Sequence, residues 1–304
     1  MKVGIQSVVF PGFVPVLEQA VQAQDRGFDS FWAGEHHHYP ESTPVPEWYK
    51  ETGVPDFYRS VPDPLITLGA VAVAAPKLTL GTSIILLPIH DVLVLSNQMA
   101  TLDHLSGGKT VFSFGVGWNK PELNNHSVVF ETRVDKAFEQ MQALRKMWTH
   151  KTSAFEGKFV NYEESSVGQP LQKPYPPLIM GGRLLKKNLQ IIAETGDGWE
   201  PTDTYEKTFG TSLEADIEKL NGAVRAQGRD PANLTNVFLY ADIMLFDRNP
   251  TDYKKDAPTR DNLARLERLG FKHVVIGVPA FSTEHFYGAI EHASSVAEPW
   301  LFQS

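Results

Sequence analysis

Cysteine is absent from the 304 residues. That removes disulfides, thiolate metal sites and cysteine nucleophiles together, and it suits a reducing compartment. Positive charge is the scarcer sign: 28 Lys and Arg stand against 36 Asp and Glu, for a net charge of -8. A nucleic-acid partner would want a basic face, and an acidic membrane surface would repel this chain. No apolar run reaches the roughly 20 residues that a bilayer-spanning helix needs. Met1-Lys2-Val3-Gly4-Ile5 leads into a strand-like stretch with no signal-peptide pattern. These absences predict a soluble, cytoplasmic protein without nucleic-acid or membrane partners. What is present is an ordinary globular mixture, 42% apolar and 21% charged, long enough for one large core.

One unit recurs along the chain: an amphipathic helix, a glycine stop, then a short apolar strand. It closes at Gly27, at Gly107-Gly108, at Gly196 and at Gly270, where the left-handed position that ends a helix favours glycine. Strands are expected at Val3 to Val9, Phe28 to Ala33, Leu78 to Leu87, Val111 to Val116, Pro177 to Met180, Asp197 to Glu200, Val237 to Met244 and His273 to Gly277. The clearest helix runs from about Thr132 to Thr149, with Val134, Ala137, Phe138, Met141, Leu144 and Trp148 spaced three and four apart. Eight such units in this length predict an α/β fold of the (β/α)₈ TIM-barrel type. The rival, a doubly wound open sheet, would carry G-x-G-x-x-G after the first strand if it bound a dinucleotide; Phe10-Pro11-Gly12-Phe13 stands there instead. A single domain over 1–304 is expected, with insertions at about 40–64 and 154–176. The first carries six prolines with Trp48, Tyr49, Phe57 and Tyr58 and reads as a functional loop or lid. The second reads as a small hairpin.

In a barrel of this type catalytic groups sit at the carboxyl ends of the strands. Those ends collect Ser7 and Phe10, Glu35-His36-His37-His38, Ser83 to Pro88, Gly115 to Asn119, Gly181-Gly182-Arg183, Trp199-Glu200-Pro201, Asp242 and Gly277-Val278-Pro279. Alternation along an extended chain lets at most His36 and His38 face one centre. His90 and Glu200 are the nearest further ligand types, but neither has H-x-H or E-x-x-H spacing, so no metal is expected. A histidine serving as proton or hydrogen-bond donor to a cofactor or substrate is the favoured reading. Gly181-Gly182-Arg183 follows an apolar strand, and Arg183, Lys186 and Lys187 load the expected first helical turn with positive charge. A bound phosphate would relieve that conflict with the helix dipole; a merely solvated outer face is the alternative. Gly115-Val116-Gly117-Trp118 is half a dinucleotide fingerprint, readable as a tight turn or as close approach of a planar cofactor. No G-x-S-x-G elbow is present for a serine hydrolase.

Taken together, these strand ends resemble the bacterial luciferase-like superfamily. The resemblance rests on Phe31-Trp32-Ala33-Gly34-Glu35-His36-His37, on Leu80 to Pro88 with Gln98 to Lys109 behind it, and on Gly115-Val116-Gly117-Trp118 followed by Glu122-Leu123 and Arg133. Gly181-Gly182-Arg183 and Gly196-Asp197-Gly198-Trp199 complete it. It implies a barrel using the deazaflavin coenzyme F420 or FMN, and the layout is most similar to the F420-dependent oxidoreductase branch. By that resemblance His36 moves a proton with Glu35 setting its orientation or charge, and Ser83-Ile84 is a cis peptide against the ring. Val116, Gly117, Trp118 and Asn119 would line the cofactor with Gly115, while Gly181, Gly182 and Arg183 face its phosphate. In the family's sugar-phosphate dehydrogenases a catalytic glutamate follows the fourth-strand glycines. Trp118-Asn119 stands in that region here, which argues for a small apolar or aromatic substrate instead. An FMN-dependent monooxygenase and a non-catalytic cofactor-binding homologue are the alternatives, and a homodimer or larger homo-oligomer is expected.

Overall fold

The computed structural model of the chain describes residues 1–7, 14–46, 50, 53–54, 56–206, 210–240, 257–280 and 282–302. Eight parallel strands form one sheet: β1 (Lys2–Ser7), β2 (Ser30–Ala33), β3 (Thr79–Leu86), β4 (Thr110–Gly115), β7 (Leu178–Gly181), β8 (Gly198–Glu200), β9 (Val237–Tyr240) and β10 (His273–Val278). The order is β8-β7-β4-β3-β2-β1-β10-β9. Its two ends meet through the parallel bridge Thr202↔Leu239, with Leu239 N–H donating to Pro201 O at 3.1 Å and Asp203 N–H to Leu239 O at 2.9 Å. The sheet therefore closes as a (β/α)₈ barrel, and the open-sheet rival is excluded. The antiparallel pair β5 (Ser153–Glu156) and β6 (Asn161–Ser165) is the expected hairpin outside the barrel.

Parallel strands packed on both faces read as continuous apolar runs, and every residue of β4 and of β10 is buried. Alternation assigns the faces. Val3, Ile5, Phe31, Phe112, Phe114, Met180, Val274 and Ile276 pack outward with the helices in one core, while Trp32, Val111, Ile179, Val237, Leu239 and Val275 form a separate cluster inside the barrel. Trp32 is fully buried there, its Nε1–H donating to Ser30 Oγ at 2.8 Å. Its ring lies across Gly81, where a Cβ would stand 2.1 Å from a ring carbon.

The outer helices start where side chains cap them. Asp63 accepts from Ile66 N–H ahead of α2 (Pro64–Ala74), which has proline in its first turn. Asp91 accepts from Leu93 and Val94 N–H ahead of α3 (Val92–Leu105); such caps are worth about 0.5–2 kcal/mol each. The expected central helix spans Arg133–Thr149 and buries Ala137, Met141, Leu144 and Trp148 as its spacing requires. Gly27, Gly107, Gly108 and Gly270 take positive φ as expected of helix stops. Gly196 does not. Its requirement is steric, because a Cβ there would lie 2.9 Å from the Ile192 Cα. The expected strand residues Val8, Val9 and 241–244, and the site candidates Phe10, Trp48, Tyr49 and Asp242, lie outside the described residues.

The interior packing makes a pair of opposed predictions. Gly81→Ala should cost about 1–3 kcal/mol, because overpacking against a walled-in Trp32 exceeds the backbone-entropy gain. Gly222→Ala, exposed on helix Leu213–Ala226 with open space at its Cβ, should gain about 0.5–1 kcal/mol. Urea unfolding of both variants beside the parent checks the sign of each.

Candidate active site

Gly34 follows the second strand, and a Cβ there would sit 2.7 Å from Ser83 O and 3.1 Å from Gln6 Nε2. The chain leaves close to β3, and Glu35 N–H donates to Ile84 O at 3.1 Å. The three histidines that follow then take three different partners. His36 Nδ1–H donates to Glu122 Oε2 at 2.9 Å, and His37 backbone N–H donates to Glu122 Oε1 at 3.1 Å. The His37 side chain turns the other way, its Nε2 3.0 Å from Glu35 Oε1. His38 Nε2 accepts from Asn125 Nδ2 at 2.9 Å. The carboxylate that meets His36 is thus Glu122, while Glu35 faces His37 and His90.

Glu35 is buried and nevertheless well paired. His90 Nε2 lies 3.0 and 2.9 Å from its two oxygens, and Leu86 N–H donates to Oε2 at 2.7 Å. Burial pushes its pKa up, but the hydrogen bonds and charge of His37 and His90 outweigh that and hold it at about 2. The same hydrogen bond to Glu35, with nearby carboxylates, raises the pKa of His37 against the effect of burial. His126, its ring 5.0 Å from that of His37, is shifted down by burial and then by His37 and His38.

Glu122 is positioned by a short helix, Lys120–Asn125. Asn119 caps it, accepting from Glu122 N–H at 3.4 Å and from the Thr43 hydroxyl at 3.1 Å. Arg133 fixes the preceding turn, donating from Nε to Gly117 O at 2.9 Å and lying 3.7 Å over the Phe130 ring. Tyr58, in the 3-10 turn Asp56–Arg59 of the long insertion, packs edge-on to His36 at 4.8 Å, and Trp118 does so at 6.0 Å. Val116 packs against the outer core from the same turn. Sequence reasoning grouped Glu122 with the fourth-strand motif but gave it no role. The signal was Asn119-x-x-Glu122, a cap residue followed by a carboxylate in the first turn.

The floor of the barrel mouth is polar. Ser83-Ile84 is a cis peptide bond, as the resemblance implied. Gln6 Nε2 donates to Ser83 O at 2.7 Å, and the Ser83 hydroxyl makes a short hydrogen bond to Glu200 Oε1. Ile84 fills the space left by two strand-end glycines: a Cβ at Gly115 would meet its Cδ1 at 1.8 Å, and one at Gly181 its Cγ2 at 3.2 Å. Gly115 therefore admits a side chain of the neighbouring strand. Glu200 is almost fully buried, and burial pushes its pKa up to about 7, with the Ser113 and Ser83 hydroxyls pulling it back in part.

The expected anion turn differs from the sequence reading. The helix here, α6 (Lys186–Glu194), begins at Lys186, so Arg183 lies before its first turn, and Lys187 pairs with Asp135 at 2.5 Å. Gly182 N–H donates to Glu200 O at 3.1 Å, while Trp199 Nε1–H donates to Gly182 O at 2.7 Å. The amides left open by the helix start belong to Lys186, Lys187 and Asn188, because the first turn of a helix has no internal acceptors. Gly182 takes φ +91° with nothing within 4 Å of its Cβ position, so that side of the turn is open.

An eight-stranded parallel barrel with histidine–carboxylate pairs at its mouth is the class that fold and geometry define. The chain belongs to the luciferase-like monooxygenase family, whose family model matches residues 5–248. It is 28% identical over 275 residues to an uncharacterized protein of Mycobacterium tuberculosis, covering 90% of each chain. It is 26% identical over 212 residues to an F420-dependent glucose-6-phosphate dehydrogenase of Kineococcus radiotolerans, covering 66% of this chain and 57% of that one. With an FMNH(2)-dependent dimethylsulfone monooxygenase of Pseudomonas putida it shares 25% identity over 179 residues, 57% and 47% of the two chains. The crystal structure of a monooxygenase, RslO1 of Streptomyces bottropensis, superposes with a TM-score of 0.74 at 15% identity, covering 98% and 99%. Relatives within the family thus use either F420 or FMN. No helix among the described residues is long and apolar enough to cross a membrane.

The buried acid gives a pH prediction. A carboxyl raised from 4.5 to about 7 on folding keeps its proton in the folded state while the unfolded chain loses it, so its contribution falls as pH rises through that window. The loss should be roughly 3 kcal/mol, at about 1.4 kcal/mol per pH unit. Glu200→Gln should remove it. Urea unfolding at pH 5 and pH 8 should show the parent losing more stability than the variant; equal losses would remove Glu200 as the source.

Proposed function

We propose that this protein is an F420-dependent oxidoreductase that moves a hydride between the deazaflavin and a small apolar or aromatic organic substrate, with 1–304 acting as one barrel unit. The observation that carries this reading is the His36–Glu122 pair at the barrel mouth, walled by Tyr58 and Trp118. With Nδ1–H given to Glu122, the His36 ring keeps Nε2 for holding or releasing a proton. The carboxylate stabilises the imidazolium when that proton is held, which makes Glu122 a positioning residue for His36.

The mouth suits a planar heterocycle with polar edges. Ile84 offers an apolar platform over Gly115 and Gly181. Gln6 Oε1, Glu200 Oε2 and Asn119 Nδ2 are buried with no hydrogen-bond partner among the described residues. Such atoms cost about 1–3 kcal/mol each when left unmade, and a bound ring with donors and an acceptor would satisfy them. Ser83, Ile84, Gly117, Trp118 and Asn119 would hold the ring, and Gly182 and Arg183 with the open amides of α6 would face the phosphate. Bound F420 supplies the two-electron chemistry, and the protein supplies position, charge and exclusion of water. Tyr58 and Trp118 contribute that exclusion over His36. The second reading, an FMN-dependent monooxygenase, is supported by the FMNH(2)-dependent relative and would use the same residues.

Titration of the purified protein with F420 and with FMN, followed by fluorescence and absorbance, tests the cofactor; saturable binding of F420 in preference to FMN is expected. Binding of FMN alone would favour the monooxygenase, and binding of neither would end both readings. His36→Ala should keep F420 affinity and lower turnover by about 10²–10⁴-fold, with Glu122→Gln falling between it and the parent. Unchanged turnover in His36→Ala would take that residue out of the mechanism.

The assembly is proposed to be a homodimer joined through the outer faces of α2 and α3. Ile66, Val73, Val94 and Leu105 are more than half exposed on these neighbouring helices, and α2 carries no charged residue. An uncharged, apolar outer face is what a self-complementary contact needs. Ile66→Lys with Val73→Lys should convert the dimer to monomer in light scattering after size exclusion; a monomeric parent would refute the assignment.

A further inference from the structure

We propose that Glu35, His37 and His90 form a binding site for a divalent transition-metal ion of the zinc class. The His37 Nε2 lies 3.0 Å from Glu35 Oε1, and the His90 Nε2 lies 3.0 and 2.9 Å from Oε1 and Oε2. One donor atom from each of the three residues lies within 4.8 Å of the others. Bonds of about 2.0–2.2 Å to one ion place neighbouring donors about 3.0–3.5 Å apart, so Glu35 already stands at nearly the required spacing from each imidazole, and the two imidazoles lie within 4.8 Å of each other. Two imidazoles and one carboxylate select zinc, cobalt, nickel or ferrous iron over magnesium or calcium, which prefer all-oxygen sets.

The surroundings are those of a supported ligand set. Glu35 Oε2 is oriented by Leu86 N–H at 2.7 Å, and the loop carrying His90 is held by Gln140 Nε2 donating to His90 O at 2.9 Å. Ligands fixed in this way lose little freedom on binding. Beside the set lies a further imidazole: the His126 ring is 5.0 Å from His37, and its buried Nε2 has no hydrogen-bond partner among the described residues. Glu35 forms the buried floor, His90 is partly buried and His37 stands at the solvent edge, so an ion can enter from outside. Glu35 and His37 follow β2 and His90 follows β3. A bound ion would tie these strand ends together next to the His36–Glu122 pair, and the site does not rest on the F420 reading.

The test uses the full chain dialysed against a chelator, titrated with Zn²⁺ by calorimetry and with Co²⁺ by visible absorption. One equivalent should bind, with cobalt ligand-field bands that Zn²⁺ displaces. His90→Ala and His37→Ala should each weaken Zn²⁺ binding at least about tenfold, since even outer-shell partners are worth that much, whereas His38→Ala should leave it unchanged. Circular dichroism reports whether each variant is folded; if His90→Ala is not, the half-exposed His37→Ala carries the test. Absence of saturable one-equivalent binding overturns the proposal. So does parental affinity in folded His37→Ala, or a loss in His38→Ala as large as in His37→Ala, which would mark the exposed histidine run as the binder.

Discussion

The carboxylate of Glu122 accepts from the His36 ring and from the His37 backbone at once, and the geometry of the mouth depends on that pair of hydrogen bonds. A polar group this deeply buried is costly unless hydrogen-bonded. The two contacts therefore fix the backbone at His37 as well as the imidazole at His36. Once the backbone is fixed, the His37 side chain must leave on the opposite side, where Glu35 and His90 receive it. Three consecutive histidines become three separate environments because one acid holds the chain between the first two.

Below this layer the barrel interior changes character with height. Trp32, Val111, Ile179 and Val275 fill the middle with apolar volume, while Gln6, Ser83, Ser113 and Glu200 stand nearer the carboxyl ends of their strands. Removing water from the middle layer makes the polar layer above it expensive, which raises the Glu200 carboxyl toward neutrality. Ile84, next to Ser83 in the chain, lies across Gly115 and Gly181 beside that layer. The glycines of strands four and seven thus serve a side chain of strand three.

Much of this was legible in the sequence because local rules and tertiary packing agree. Continuous apolar runs gave the strands, glycines such as Gly27 and Gly270 gave helix ends, and the strand ends gathered Glu35, His36, Ser83 and Asn119 into one region. What was not legible is pairing across long separations. Nothing local to Glu35 points to His90, 55 residues away, and nothing local to His36 points to Glu122, 86 residues away. The start of α6 was misread by three residues because Gly182 looks like a helix entry. Its N–H is instead used by Glu200 O and its carbonyl by Trp199, partners that only the closed barrel brings near.

The long insertion and the acid–histidine pair are linked through one side chain. The Asn119 amide oxygen accepts from Thr43 in the insertion and from the backbone of Glu122 in the helix it caps. Tyr58, from the same insertion, rests against the ring that Glu122 holds. A shift of the insertion that broke the Thr43 contact would leave Asn119 with only its cap to make, and would also uncover His36. The positions of Thr43 and Tyr58 and the orientation of His36 are therefore coupled by a continuous path of three hydrogen bonds and a ring contact. Whatever holds Thr43 against Asn119 in the same act holds the His36 ring in place.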